Sequence, residues 1–180
     1  SPWAAATRRV SSAARRCRVC GCSAWLVRAD GGVPVNLVSS YAYDTAFAGN
    51  AAVAEIYEAI MADFEAAAAV EGSSQNGIWT VAPLLPKTRT QGSVGRVTYG
   101  AAKAYLASAC LSMTGYPLYR NTTEDYRKII DLCQDVIDLA DEDVYELLPE
   151  YSDVFATENN KESIFEMQAG STTGTGCSVK

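Results

Sequence analysis

The 180-residue chain contains six cysteines and no histidine, and these two facts bound the chemistry its side chains could do. Three cysteines stand together as Cys17-x-x-Cys20-x-Cys22. A closed zinc site wants four Cys or His ligands, usually arriving in pairs. The next cysteine is Cys110, so no metal is assigned. Without histidine, neither a Ser–His nor a Cys–His nucleophilic pair can be built. The run Gly95-Arg96-Val97-Thr98-Tyr99-Gly100-Ala101-Ala102-Lys103 imitates a phosphate loop. There, however, lysine should follow the second glycine directly and a strand should come before. Gly95 and Arg96 read instead as a helix start, with Arg96 free to bond loop carbonyls. Carboxylates are plentiful at Glu55/Glu58, Asp63/Glu65 and Asp141-Glu142-Asp143. They fall on the polar side of amphipathic runs. Nothing marks two acids held across a cleft with divided pKa values, as glycoside hydrolysis requires. The chain is read as non-catalytic, with no cofactor.

Aromatic residues are the remaining candidates. A sugar ring has apolar faces that stack on aromatic rings, while nearby amides and carboxylates take its hydroxyls. Trp79, with Gln75 and Asn76 close by, could offer such a platform, and so could Tyr41 and Tyr43. The competing reading is that Trp79 plugs its loop onto the helices.

Charge divides the chain. Residues 1–28 hold six arginines and no acid, whereas the remainder sets nine basic residues against 21 acidic ones, a net of −12. A basic arm can be a nucleic-acid footprint. This one lacks lysine and has little aromatic interleaving, and the acidic remainder would repel phosphate. Nucleic acid is therefore not expected as a partner. No apolar run approaches the ~20 residues a membrane helix needs, and residues 1–24 lack the apolar core of a secretory signal. Any export signal or lipid anchor is expected to lie outside this chain.

The elements that must position these groups are helical. In 50–71, Val53, Ile56, Tyr57, Ile60, Met61, Phe64 and Ala68 form one apolar stripe, with Asn50 as the expected cap and Gly72 as the expected stop. Residues 72–96 read as a long loop. A helix over 96–114 follows, with Gly100, Ala101, Ala104, Ala107 and Ser108 leaving room for close approach. Gly115 and Pro117 end it. Thr122-x-x-Asp125 predicts a capping box. It opens a helix over 123–140 expected to bury Tyr126, Ile129, Ile130, Cys133, Val136, Ile137 and Ala140. Cys110 and Cys133 are expected as buried free thiols, with a disulfide as the alternative. The two helices form a hairpin of tetratricopeptide character, and one such pair cannot bury both its faces. The fold class is mainly α, built of tetratricopeptide-like hairpins with long loops and at most short strands.

Four blocks in order carry a resemblance. They are Leu26-Val27-Arg28 with Gly31-Gly32-Val33-Pro34-Val35; the acidic helix from Ile56-Tyr57 to Asp63-Phe64-Glu65; Gly95-Arg96-Val97-Thr98 through Tyr105-Leu106 to Gly115-Tyr116-Pro117-Leu118; and the connector 147–168, LLPEYSDVFATENNKESIFEMQ. This order resembles the SusD/RagB family of nutrient-binding outer-membrane lipoproteins of Bacteroidetes, whose members are longer at both ends. Residues 25–168 would be an internal part of the helical domain and 169–180 a flexible tail. Residues 1–24 read as an atypical basic segment, disordered or out of frame with the rest. The resemblance implies a surface lipoprotein that captures a glycan or other oligomeric nutrient. It would hand the nutrient to a TonB-dependent, SusC-like transporter barrel, touching the membrane only through its anchor. The alternative is a helical-repeat scaffold for protein partners.

Overall fold

The computed structural model describes residues 24, 26–34, 49–75, 78–89 and 95–166. The 1–24 segment (save Ala24), Tyr41, Tyr43 and the 169–180 tail lie outside them. In chain order the described elements are α1 (Val53–Ala67), β1 (Val70–Gln75), β2 (Ile78–Pro83), α2 (Tyr99–Met113), α3 (Thr123–Ile137), a 3-10 turn (Asp138–Ala140) and a short α4 (Asp153–Ala156). Among the described residues the architecture is mainly α with one two-stranded sheet.

A helical segment ends at residue 30, where Gly31 adopts φ +76° and its N–H bonds Val27 O at 3.0 Å. That left-handed cap is glycine's usual role at a helix end. Gly32 is needed for a different reason: a Cβ there would come within 2.8 Å of Ala51 O. The Gly-Gly-Val-Pro turn thus lets the chain pass against the start of α1.

Of the stripe predicted for α1, Ile56, Tyr57, Ile60, Phe64 and Ala68 are buried and Val53 and Met61 partly so, with Ala67 buried beside them. Its ends differ from expectation. The N-cap is Ala52, with no side-chain cap, rather than Asn50. The helix stops at Ala68 rather than Gly72, because β1 begins at Val70. The expected loop from 72 onward holds a β-hairpin, with antiparallel register from Val70↔Pro83 to Gln75↔Ile78.

Helix α2 lies between α1 and α3 and packs on both. Its buried positions are Gly100, Ala101, Ala102, Leu106, Ala107, Ala109, Cys110 and Met113. Small side chains on two faces let both neighbours come close, at little side-chain entropy cost. Thr98, rather than Gly95 or Arg96, starts this helix, its hydroxyl accepting from Ala101 N–H at 3.3 Å. The predicted capping box on α3 is present: the Thr122 hydroxyl accepts from Asp125 N–H, and the Asp125 carboxylate accepts from Thr122 N–H at 2.9 Å. Across the bundle, Phe64 of α1 stacks on Tyr105 of α2 with ring centroids 5.9 Å apart. Lys103 bridges to Asp135 at 2.6 Å.

The burial expected for α3 needs correction. Ile129, Leu132 and Leu139 are buried, the last in the 3-10 turn, whereas Tyr126, Ile130, Cys133, Ile137 and Ala140 are exposed, Ile130 at 63% and Ile137 at 61%. The face toward α2 is centred on Ile129 and Leu132. The Tyr126–Ile130–Ile137 stripe is a second apolar face, turned outward. Cys110 is a buried free thiol as expected; Cys133 is free but exposed.

Candidate functional site

Two surface depressions differ in chemistry. The larger is an open cleft of about 1020 Å³ between the 27–32 turn, α1 and the C-terminal end of α2. Arg28, Asp30, Ser112 and Thr114 bring polar groups to it, and Tyr116 stands on its rim. Tyr116 is 83% exposed, with its ring edge-on to Tyr119 at 6.1 Å. The sequence puts these groups here by stopping two helices beside each other, one at Gly31 and one at Gly115-Tyr116-Pro117. An exposed ring beside a carboxylate, a guanidinium and hydroxyls matches the two-sided character of a sugar. Among the described residues no group of three or more His, Cys, Asp or Glu is arranged to hold a metal ion.

The second depression is an apolar groove of about 320 Å³ between the end of α3 and the connector. Val136, Ile137, Ala140, Leu147 and Ile164 line it, with Tyr145, Glu146 and Glu162 adding its polar atoms. With so few hydrogen-bonding groups it suits an apolar surface better than a sugar.

The connector that closes this groove is a fixed structure. Asn160 is its hub. Its amide donates to Val154 O and Thr157 O, both at 2.9 Å, and its Oδ1 accepts from Glu162 N–H and Ser163 N–H, both at 3.1 Å. The Glu166 carboxylate accepts from Asn159 N–H, and Glu162 accepts from Leu148 N–H. Among the described residues it is Arg89 that reaches loop carbonyls, donating to Asn160 O and Ser163 O. Phe165 then packs edge-on against Tyr105, 6.2 Å between centroids.

The residues singled out from sequence do not converge among the described residues. Trp79 lies on β2 with its backbone opposite Ser74, not in a loop. Tyr41 and Tyr43 lie outside the described residues. Several of the acids pair with basic side chains instead: Glu58 with Arg120, Glu65 with Lys128, Glu142 with Lys87, and Asp143, like Glu146, with Lys161. Sequence reasoning missed Tyr116 as a surface ring, although Gly115 and Pro117 on either side mark it as a turn residue.

No protein-family model and no curated protein matches the sequence. Solved structures do match. A SusD-like protein from Bacteroides fragilis aligns over 91% of this chain with TM-score 0.65 at 20% identity. Surface glycan-binding protein A from Bacteroides uniformis aligns over 92% with TM-score 0.67 at 22% identity. The chain spans 28% and 32% of the lengths of those two proteins. At such identities the likeness is one of backbone architecture, and it agrees with the order of blocks in the sequence: the chain has the SusD-like fold.

Proposed function

We propose that this chain is part of a surface protein that captures a glycan, or another oligomeric nutrient, without chemical turnover. In this reading it delivers the nutrient to a TonB-dependent, SusC-like transporter barrel in the outer membrane, held there by a lipid anchor outside the present sequence. The observation that carries the reading is the fold shared, over 92% of the chain, with a protein named for surface glycan binding. The cleft at Tyr116 supports it, with a stacking ring beside Asp30, Arg28 and Ser112. Trp79, Tyr41 and Tyr43 are proposed for the same role. The apolar groove and the outward stripe of α3 are the surfaces best suited to a protein partner. The groove also favours a second reading, a helical scaffold that binds only proteins.

The test is a glycan array followed by calorimetry on the best glycan, with the wild type and Tyr116→Ala. Because Tyr116 is so exposed, its truncation should leave stability within about 0.5 kcal/mol while weakening the glycan at least ~10-fold. A glycan bound equally well by Tyr116→Ala would remove the cleft from the proposal. Absence of binding across the array would favour the scaffold.

A further inference from the structure

We propose that Met61, Cys110 and Met113 form a binding site for a soft monovalent metal ion, Cu(I) or Ag(I). Cys110 and Met113 are three residues apart on α2, so both side chains leave the same face of the helix. Met61 arrives from α1, and all three line one pocket of about 250 Å³ where α1, α2 and α3 meet. The Cys110 sulfur lies 3.7 Å from the Met61 sulfur. Two sulfurs set 120° apart around a metal, at the roughly 2.3 Å of a metal–thiolate bond, would be ~4.0 Å apart. The pair is thus already near the spacing of a trigonal site, with Met113 available as the third donor.

Thiolate and thioether donors select Cu(I) and similar soft ions over hard cations. On binding, the Cys110 thiol gives its proton to water as the metal–sulfur bond forms. The ion keeps its oxidation state and its single positive charge is cancelled by the thiolate. The pocket's rim adds a bias toward cations: Glu58, Glu65 and Asp125 face Arg120 and Lys128, leaving one net negative charge. Methionine is also a common filler of irregular core gaps, and the experiment separates the two roles.

The other cysteines would compete for the ion. The full chain is therefore made with Cys17, Cys20, Cys22, Cys133 and Cys177 each changed to serine, leaving Cys110. This protein is titrated with Cu(I) in competition with a chromophoric Cu(I) chelator. One equivalent is expected to move to the protein. Met61→Leu and Met113→Leu, which nearly conserve volume, are each expected to weaken it at least ~10-fold, with circular dichroism confirming the fold. As a second readout, Ag(I) should raise the melting temperature of the five-serine protein and not that of its Cys110→Ala derivative. Failure to withdraw Cu(I) from the chelator would overturn the proposal, and so would leucine variants that bind as tightly as their parent, since Cys110 would then act as a lone thiol.

Discussion

At Gly100 a single added methyl group should displace a neighbouring ring. A Cβ there would run into Tyr145 Oη and would meet Cε2 at 2.6 Å and Cζ at 2.9 Å. Two ring atoms and the hydroxyl of one side chain are met at once, so the ring must move. Its hydroxyl lies 3.1 Å from Oγ1 of Thr98, the buried cap of α2. Gly100→Ala therefore adds overpacking of ~1–3 kcal/mol and loses a hydrogen bond worth ~1 kcal/mol. Against these stands a gain of up to ~1 kcal/mol from alanine's helix propensity. The net is a destabilisation of about 1–3 kcal/mol, read as a lowered midpoint in chemical denaturation at unchanged slope. A double-mutant cycle isolates the cause. In a Tyr145→Ala background the obstruction is gone, and Gly100→Ala should be neutral or stabilising by up to ~1 kcal/mol. Equal destabilisation in both backgrounds would refute the argument, as would a wild-type background that gains stability.

Three other perturbations follow from the same geometry. Asn160→Ala removes four side-chain hydrogen bonds from a half-buried site and should cost ~2–3 kcal/mol. Amide exchange at Glu162 and Ser163 should accelerate, and unchanged protection there would show that Asn160 is not the hub. Hydrogen bonds from the Thr122 side chain and then its backbone hold the Asp125 carboxyl below the usual aspartate range. A depressed folded-state pKa gives stabilisation that is present above the unfolded value and lost as pH falls through the folded one. The difference between wild type and Asp125→Asn in urea denaturation should be largest at neutral pH and close as pH falls through the depressed folded-state titration of the carboxyl; a pH-independent difference would contradict this. Ile130→Glu with Ile137→Glu should leave monomer stability within about 0.5 kcal/mol while suppressing concentration-dependent association in sedimentation. A wild type that stays monomeric at high concentration would show that the outward stripe of α3 is not adhesive.

Local rules made much of this fold legible. The stripe of α1, the Thr122/Asp125 box and the stop at Gly115-Tyr116-Pro117 each depend on residues within one or two turns of one another, where spacing and chemistry act directly. The β-hairpin is equally local. Asn76-Gly77 sits between Ser-Ser-Gln and Ile-Trp-Thr-Val, the two-residue signature of a tight hairpin connection, but the surrounding glycines and prolines carry an equally strong loop signal. Burial on α3 failed for another reason. Periodicity marks which positions are apolar, not which neighbour covers them, and α3 carries two apolar faces about a third of a turn apart with only one packed on α2. The long-range contacts leave no periodic trace at all. Tyr145 reaches Thr98 across 47 residues, and Arg89 reaches Asn160 across 71. The candidate cleft was missed because it needs two helix ends, far apart in sequence, to stop side by side.

The connector determines how the two candidate surfaces relate. Phe64, Tyr105 and Phe165 form a continuous run of rings from α1 through α2 to the connector. Arg89 and Asn160 fix the backbone just before Phe165. The apolar groove is therefore built on a strap anchored in the core, and loosening the strap should widen the groove. The Tyr116 cleft shares no residue with the groove, and its walls are the 27–32 turn, α1 and the far end of α2. The Asn160→Ala variant should accordingly alter whatever docks at the groove while leaving any glycan affinity at the cleft unchanged. Tyr116→Ala should do the reverse. Such a double dissociation follows only if the helical core keeps the two surfaces independent. A single variant that weakened both would mean that the strap and the cleft are coupled through α2, whose small side chains leave little slack for a shift to be absorbed.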